Sequence, residues 1–390
     1  MVECMPAALL PMPWQSLNGF APPMSVSTFG TEAGNRPKRS GNRNKLRVVN
    51  FVALSGSPGI WAPSAMNSTL LAACEINARG GVLGREVEVL FLDASGTAKD
   101  IARRVKDVIS FDEVDVIVGS HTSAVRVTLR EHIAGRIPYI YTTVYEGGER
   151  TPGVIAIGET PRNQSRPAIH WLADAKNASR WYLIGSDYVW PWLSHQAMKQ
   201  YIAESGGQVV GEEFVPVGED DYESHLARIR AAAPDVVLVS LIGADSITFN
   251  RSFAEQGLAP KMLRLASAFD ETVLLGIGPD STENLFCASG YFNCVRSSET
   301  EAFVSRYEAA FGRNAAPAGS VGQSNYEGLM FLEEAARCAG SLAPKPLLSV
   351  ADHIVYRGGR GPVTLSRGHA DMPIYLSQAD GIDFRVVRTF

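Results

Sequence analysis

At 390 residues the chain is long enough for two domains, each with a full core. Charged residues make up 20%, hydrophobic ones 45%, and the net charge is −5, an ordinary globular balance that argues against a nucleic-acid surface, which needs a clustered basic face. No apolar run approaches the roughly 18 residues needed to span a bilayer, and the five cysteines, scattered and odd in number, show neither a CxxC pair nor metal-ligand spacing.

Residues 1–45 stand apart. They hold Pro6, Pro11, Pro13, Pro22, Pro23 and Pro37, and no Lys or Arg precedes Arg36. The basic start and unbroken apolar core of a secretory signal are therefore missing. We read the stretch as a disordered extension, with Met24 as an alternative start. Taken as written, the chain reads as cytoplasmic; a signal lost from the N-terminus would make it periplasmic.

From residue 46 strands and helices alternate, the signature of an α/β fold with parallel sheets. An apolar strand at 46–54 ends in the turn Ser55-Gly56-Ser57-Pro58-Gly59. A helix at 64–78, a strand at 87–92 and a helix at 98–109 follow. Residues 115–149, DVIVGSHTSAVRVTLREHIAGRIPYIYTTVYEGGE, add a strand (115–119), a polar turn (120–123), a helix (124–134), a strand (138–141) and a second polar, aromatic loop (142–148). A short strand at 154–157 leaves the first half. The alternation restarts with helices at 162–175, 194–205, 222–232 and 245–256 and strands at 180–185, 209–216, 235–241, 262–266 and 283–289. Helices at 299–311 and 323–339 and strands at 363–365, 372–378 and 384–387 close the chain. The predicted architecture is two Rossmann-like, doubly wound lobes: 46–157 with 291–340, and 158–290 with 341–390.

In parallel sheets the loops leave the carboxyl edge, where ligands of such folds bind. The loops around 120–123 and 142–148 offer the hydroxyls of Ser123 and Thr143 and the rings of His121, Tyr141 and Tyr145, and Ser123 stands at a helix start whose free N–H groups favour a ligand oxygen. GSDYVWPW (185–192) brings Tyr188 and Trp190 to another strand end, where flat rings with polar tips can cover a small solute; Trp192 reads as helix packing. Ser55 ends the first strand. Asp245 reads as a helix cap, and Asp270 as either a cap or a ligand contact. The Walker, dinucleotide, nucleophile-elbow and HExxH motifs are absent. The one Ser–His pairing available, His121 beside Ser120 or Ser123, joins sequence neighbours, which seldom form catalytic dyads. No enzyme, cofactor or metal is expected; a Cys287–Cys294 bridge is the alternative to free thiols.

EINARGGVLGR (75–85), VGSHTSAVR (118–126), YTTVYEGGE (141–149), TPRNQ (160–164), GSDYVWPW and RGGRGPVTL (357–365) together resemble the type I periplasmic-binding-protein superfamily, and within it the amide- and urea-binding branch. The resemblance implies two lobes joined by three crossovers and closing on a ligand. It also implies amide contacts at His121, Ser123, Tyr141, Thr143 and Tyr188, with Trp190 nearby. His121 stands where the branch usually has tyrosine and Thr142 where it has proline. An imidazole there adds a group able to titrate near pH 7. The expected function is a non-catalytic binding protein for a short aliphatic amide or urea, acting as a cytoplasmic sensor with a regulator protein as partner. The alternative is delivery of urea, amides or branched-chain amino acids to an ABC permease; a homodimer is compatible with either.

Overall fold

A computed structural model describes residues 44–110, 114–366 and 368–390; the expected extension lies outside them up to residue 43. β1 (Lys45–Val52) reads KLRVVNFV and buries its last five positions, because a central strand of a parallel sheet has helices on both faces and no wet side. β2 (Glu86–Asp93), β3 (Val116–Gly119), β4 (Tyr139–Tyr141) and β5 (Val154–Ala156) join it in the all-parallel order β2-β1-β3-β4-β5. A 3-10 turn at Ser57–Trp61 leads into α1 (Ala62–Ala78), and α2 (Ala98–Ser110) and α3 (Ser123–Ile133) make the later crossovers.

The second sheet repeats this plan. β6 (Arg180–Ser186), β7 (Gln208–Val215), β8 (Val236–Ser240), β9 (Leu263–Ala266) and β10 (Leu285–Ser289) lie parallel in the order β7-β6-β8-β9-β10. α4 (Ser165–Lys176) leads from β5 into this sheet, and α5 (Val189–Glu204), α6 (Glu223–Ala232), α7 (Gly243–Glu255) and α8 (Glu271–Ile277) connect its strands. The late strands β14 (Tyr375–Asp380) and β15 (Asp383–Thr389) add an antiparallel hairpin beside β10.

After β10 the chain returns to the first half. α9 (Ser298–Phe311) and α10 (Gly319–Ala339) pack on α1, with Phe303, Leu329 and Phe331 in the core of the first sheet. Buried Asn50 on β1 ties this layer together by donating to Thr69 Oγ1 on α1 at 2.9 Å and Asn325 Oδ1 on α10 at 3.1 Å. The chain crosses a third time through a small antiparallel sheet of β11 (Val355–Gly358), β12 (Gly361–Ser366) and β13 (His369–Asp371).

Two expectations need correction. α11 (Pro344–Ala351) is a helix absent from the sequence reading, and its Leu347 and Ala351 join the core of the first sheet, so residues 341–351 do not pack with the second lobe. α5 starts at Val189, five residues before the predicted start, because Pro191 is compatible with a first helical turn, where no N–H partner is needed. The cysteines follow the expectation: Cys287 is buried in β10 and Cys294 is half-buried, and both are free thiols, without the alternative bridge.

Candidate functional site

The strand order of each sheet leaves one switch point, between β1 and β3 and between β6 and β8, where adjacent loops diverge and open a crevice at the strands' carboxyl ends. The two crevices share one cavity. Its wall takes Ala53 from after β1, Ser123 from after β3, Tyr188 from after β6 and Ile242 from after β8. The cavity volume is about 60 Å³, several times the roughly 10–15 Å³ that one water requires, which suits a solute of a few heavy atoms.

His121, Ser123, Tyr141, Thr143, Tyr188 and Trp190 all line this cavity. His121 is 3% exposed and has both ring nitrogens occupied. Its Nδ1 lies 3.3 Å from the Thr122 carbonyl, which can only accept, so Nδ1 carries the hydrogen and Nε2 accepts from the Tyr139 hydroxyl at 2.9 Å. Burial, with a smaller push from the Arg126 charge, lowers its pKa to about 3. The expected titration near pH 7 is therefore corrected: this imidazole is a neutral wall. Gly119 makes the placement feasible, since a Cβ there would fall 2.9 Å from the Phe51 carbonyl and 3.1 Å from the His121 ring. Tyr141 donates to the His121 carbonyl at 2.8 Å, bracing the same loop.

Ser123 does not face His121. Its hydroxyl donates to Glu146 Oε2 at 2.6 Å, so no Ser–His dyad forms, and its oxygen has only lone pairs left to offer. Glu146 is held by Arg126 at 2.5 Å, and Glu149 by Arg126 at 3.4 Å and Arg130 at 3.1 Å. Arg126 lies over the rings of Tyr141 and Tyr145, with its guanidinium carbon 5.1 and 4.9 Å from their centroids. Glu146 and Glu149 are thus paired with Arg126 behind the wall, with Arg126 Nε and Nη1 making no hydrogen bond among the described residues, and none of the three lines the cavity. Among the described residues the N-terminus of α3 is uncapped: Thr122 makes no side-chain cap bond, and the first bonded backbone N–H of the helix is that of Arg126. On the opposite wall Trp190 is 2% exposed, and its indole N–H has no partner among the described residues.

Three of the expected site residues lie elsewhere. Tyr145 is fully buried against Tyr141 and Arg126, one layer behind the cavity. Ser55 is exposed on an outer hollow of about 320 Å³, separated from the inner cavity by Pro58, Thr122, Tyr188 and Ile242, which line both. Asp270 caps α8, accepting from the backbone N–H groups of Thr272 and Val273, and also accepts the Trp61 indole N–H at 2.9 Å. It binds its own protein. Asp245 sits in the first turn of α7, accepting the Gly218 N–H at 3.0 Å, so it caps no helix of its own.

Sequence reasoning missed Trp61, Glu159, Gln164 and Ser324, which also line the cavity. Trp61 ends the 3-10 turn, Glu159 and Gln164 lie on the first crossover, and Ser324 comes from α10, so none ends a strand. TPRNQ was the available signal for Gln164, whose side-chain amide donates to the Ser267 and Ala288 carbonyls at 2.7 and 2.8 Å.

The two halves touch across the cleft. Ser57 Oγ donates to the Ile242 carbonyl at 2.5 Å and accepts the Asp245 N–H at 3.0 Å. With the Trp61–Asp270 bond, these contacts hold the 3-10 turn against the starts of α7 and α8. Among the described residues no group of three His, Cys, Asp or Glu could hold a metal ion, and no helix is long and apolar enough to cross a membrane.

A family model described as "Periplasmic binding protein" matches residues 45–383. Among solved structures, a periplasmic binding protein from Burkholderia mallei is 17% identical, with a TM-score of 0.81 over 90% of this chain and 95% of that one. A solute-binding protein of an ABC transporter from R. palustris, in complex with 4-hydroxybenzoate, is 18% identical with a TM-score of 0.78 over 89% and 97%. A leucine-binding protein from Thermotoga maritima is 16% identical with a TM-score of 0.77 over 88% and 98%.

Proposed function

The chain belongs to the periplasmic binding protein family, and from that premise we propose that it traps a small amide-like solute, a short aliphatic amide or urea, between its lobes. One observation carries the reading: the mouth of α3 is an uncharged pairing of bare N–H donors with an acceptor-only hydroxyl. Ser123 has given its hydrogen to Glu146, His121 is neutral with no free nitrogen, and the helix start keeps unbonded N–H groups. A primary amide or urea has the matching face, a carbonyl oxygen beside an N–H. Tyr141, Tyr188 and the His121 ring would keep water out. Each net hydrogen bond contributes roughly 0.5–1.5 kcal/mol, so several bonds with ring contacts reach micromolar affinity.

The same facts support binding without catalysis, because His121 cannot act as a base toward Ser123. For the partner two readings stand. Solved relatives that serve ABC transporters support delivery to a permease, and the resemblance to the amide- and urea-binding branch supports a sensor acting on a regulator.

Calorimetry with acetamide, butyramide, urea and leucine tests the ligand class. Heat from an amide or urea, weakened at least tenfold in Ser123→Ala, is the expected result. Tight leucine binding with no heat from amides would overturn it, and amide hydrolysis abolished by Ser123→Ala would move the protein to the enzymes. Mass spectrometry of the native N-terminus separates the partners: a terminus processed near residue 45 means export and a permease.

A further inference from the structure

Among the described residues, Glu159 is the only charged one that lines the cavity. It lies just after β5 and is 5% exposed. Its backbone carbonyl accepts the Tyr145 N–H at 2.9 Å, which fixes it beside the Thr143 loop. Its Oε1 accepts the Gly290 N–H at 2.8 Å from the second crossover. Its Oε2 is 3.7 Å from Arg360 Nη1, an ion pair but not a hydrogen bond.

Arg360 is itself buried and committed elsewhere. Its Nε bonds Glu327 Oε2, and its backbone N–H reaches Glu327 Oε1 at 3.2 Å. Two carboxylates therefore share one guanidinium, and this buried group carries a net negative charge at the cavity wall. No lining residue supplies a balancing cation: Arg126 is held by Glu146 and Glu149 outside the lining, and His121 is neutral.

The hydroxyl hydrogens point the same way. Ser123, Tyr141 and Ser324 all donate theirs to protein acceptors, so toward a ligand they have only lone pairs. Ser120 accepts from Asn325 at 2.6 Å and keeps its hydrogen. Glu159 adds a carboxylate to these acceptors, and the donors facing it are neutral: Ser120, the Trp190 indole and the start of α3.

We propose that Glu159 determines which solutes the cavity accepts, its Oε2 receiving an N–H of the ligand, so that cationic nitrogen compounds such as amidines bind at least as tightly as neutral amides and carboxylates are refused. This rests on the reading of the cavity as the solute site and names the charge of what enters it.

Acetamidine, acetamide and acetate share one shape and differ in charge. In calorimetry on the full chain, acetamidine should bind at least as tightly as acetamide, and acetate should give no heat. Glu159→Gln should weaken acetamidine at least tenfold relative to acetamide. A residue that merely clamps the crossovers would weaken acetamidine and acetamide in parallel, and that outcome, or acetate matching acetamide in the wild type, overturns the assignment. Should the variant fail to fold, the wild-type ranking alone decides. If the wild type binds none of the three but binds leucine, and Glu159→Gln loses it, Glu159 keeps its role toward an ammonium group and only the amide reading falls. If the wild type binds none of these four, both fall.

Discussion

His121 shows how far one residue's surroundings can change its chemistry. An imidazole at a loop end reads as a titratable group, yet here the ring is sealed between Phe51, Tyr139 and Tyr141, and burial holds its pKa near 3 instead of 6.5. The folded state thus binds fewer protons at this site than the unfolded chain between those two values, and its contribution is present above pH 6.5 and lost as pH falls toward 3. In that window the residue costs about 1.4 kcal/mol of stability for each unit of acidification. In denaturant melts at pH 6.5, 5.5 and 4.5 the wild type should lose about 1 kcal/mol more stability per unit of acidification than His121→Asn. Equal slopes would mean that the ring is solvated after all. Ligand affinity should stay flat between pH 6 and 8 as far as His121 is concerned.

At the scale of elements, what was legible in the sequence depended on how each stretch meets its neighbours. The alternating strands and helices were readable because central parallel strands are continuous β-branched runs, and the strand-end residues His121, Ser123, Tyr141 and Tyr188 came with them. α8 escaped because ETVLLGI is only seven residues and too short for a helical period to show. In α11, PKPLLSVA, prolines at its first and third positions hide the pattern. Trp61, Glu159 and Ser324 escaped because only long-range packing brings a turn, a crossover and a distant helix to one cavity. Asp270 joins these levels, since the carboxylate that caps α8 also accepts from Trp61 on the facing half. Asp270→Ala should lower unfolding stability by about 1–2 kcal/mol from the lost cap and, through the freed indole, weaken solute binding as well. Trp61→Phe keeps the cap while removing the bond across the cleft and trimming one wall of the cavity, so it should weaken binding with a smaller change in melting. A variant pair equal in both readouts would show that the bond does not serve closure.

For the whole molecule the question is what the solute acts on. A ligand shifts the equilibrium between open and closed lobes only by its differential affinity for the two, so closure and binding must fail together when the lobes cannot meet. Gly243 tests this link, because it has φ +52° at the start of α7 and a Cβ there would lie 1.9 Å from the Ser57 carbonyl across the cleft. Gly257 has a comparable φ of +67° with nothing within 4 Å of a Cβ. Gly243→Val and Gly257→Val therefore impose similar backbone strain, of order 1–3 kcal/mol, but only the first blocks the approach of the lobes. At a solute concentration a hundredfold above Kd, binding should stabilise the wild type and Gly257→Val by about 2.7 kcal/mol, and Gly243→Val hardly at all. Small-angle scattering should find Gly243→Val more extended than Gly257→Val whether or not solute is present. If Gly243→Val binds and compacts like its control, the 3-10 turn and the start of α7 are not the surface on which the lobes close, and the solute must be held by one half alone.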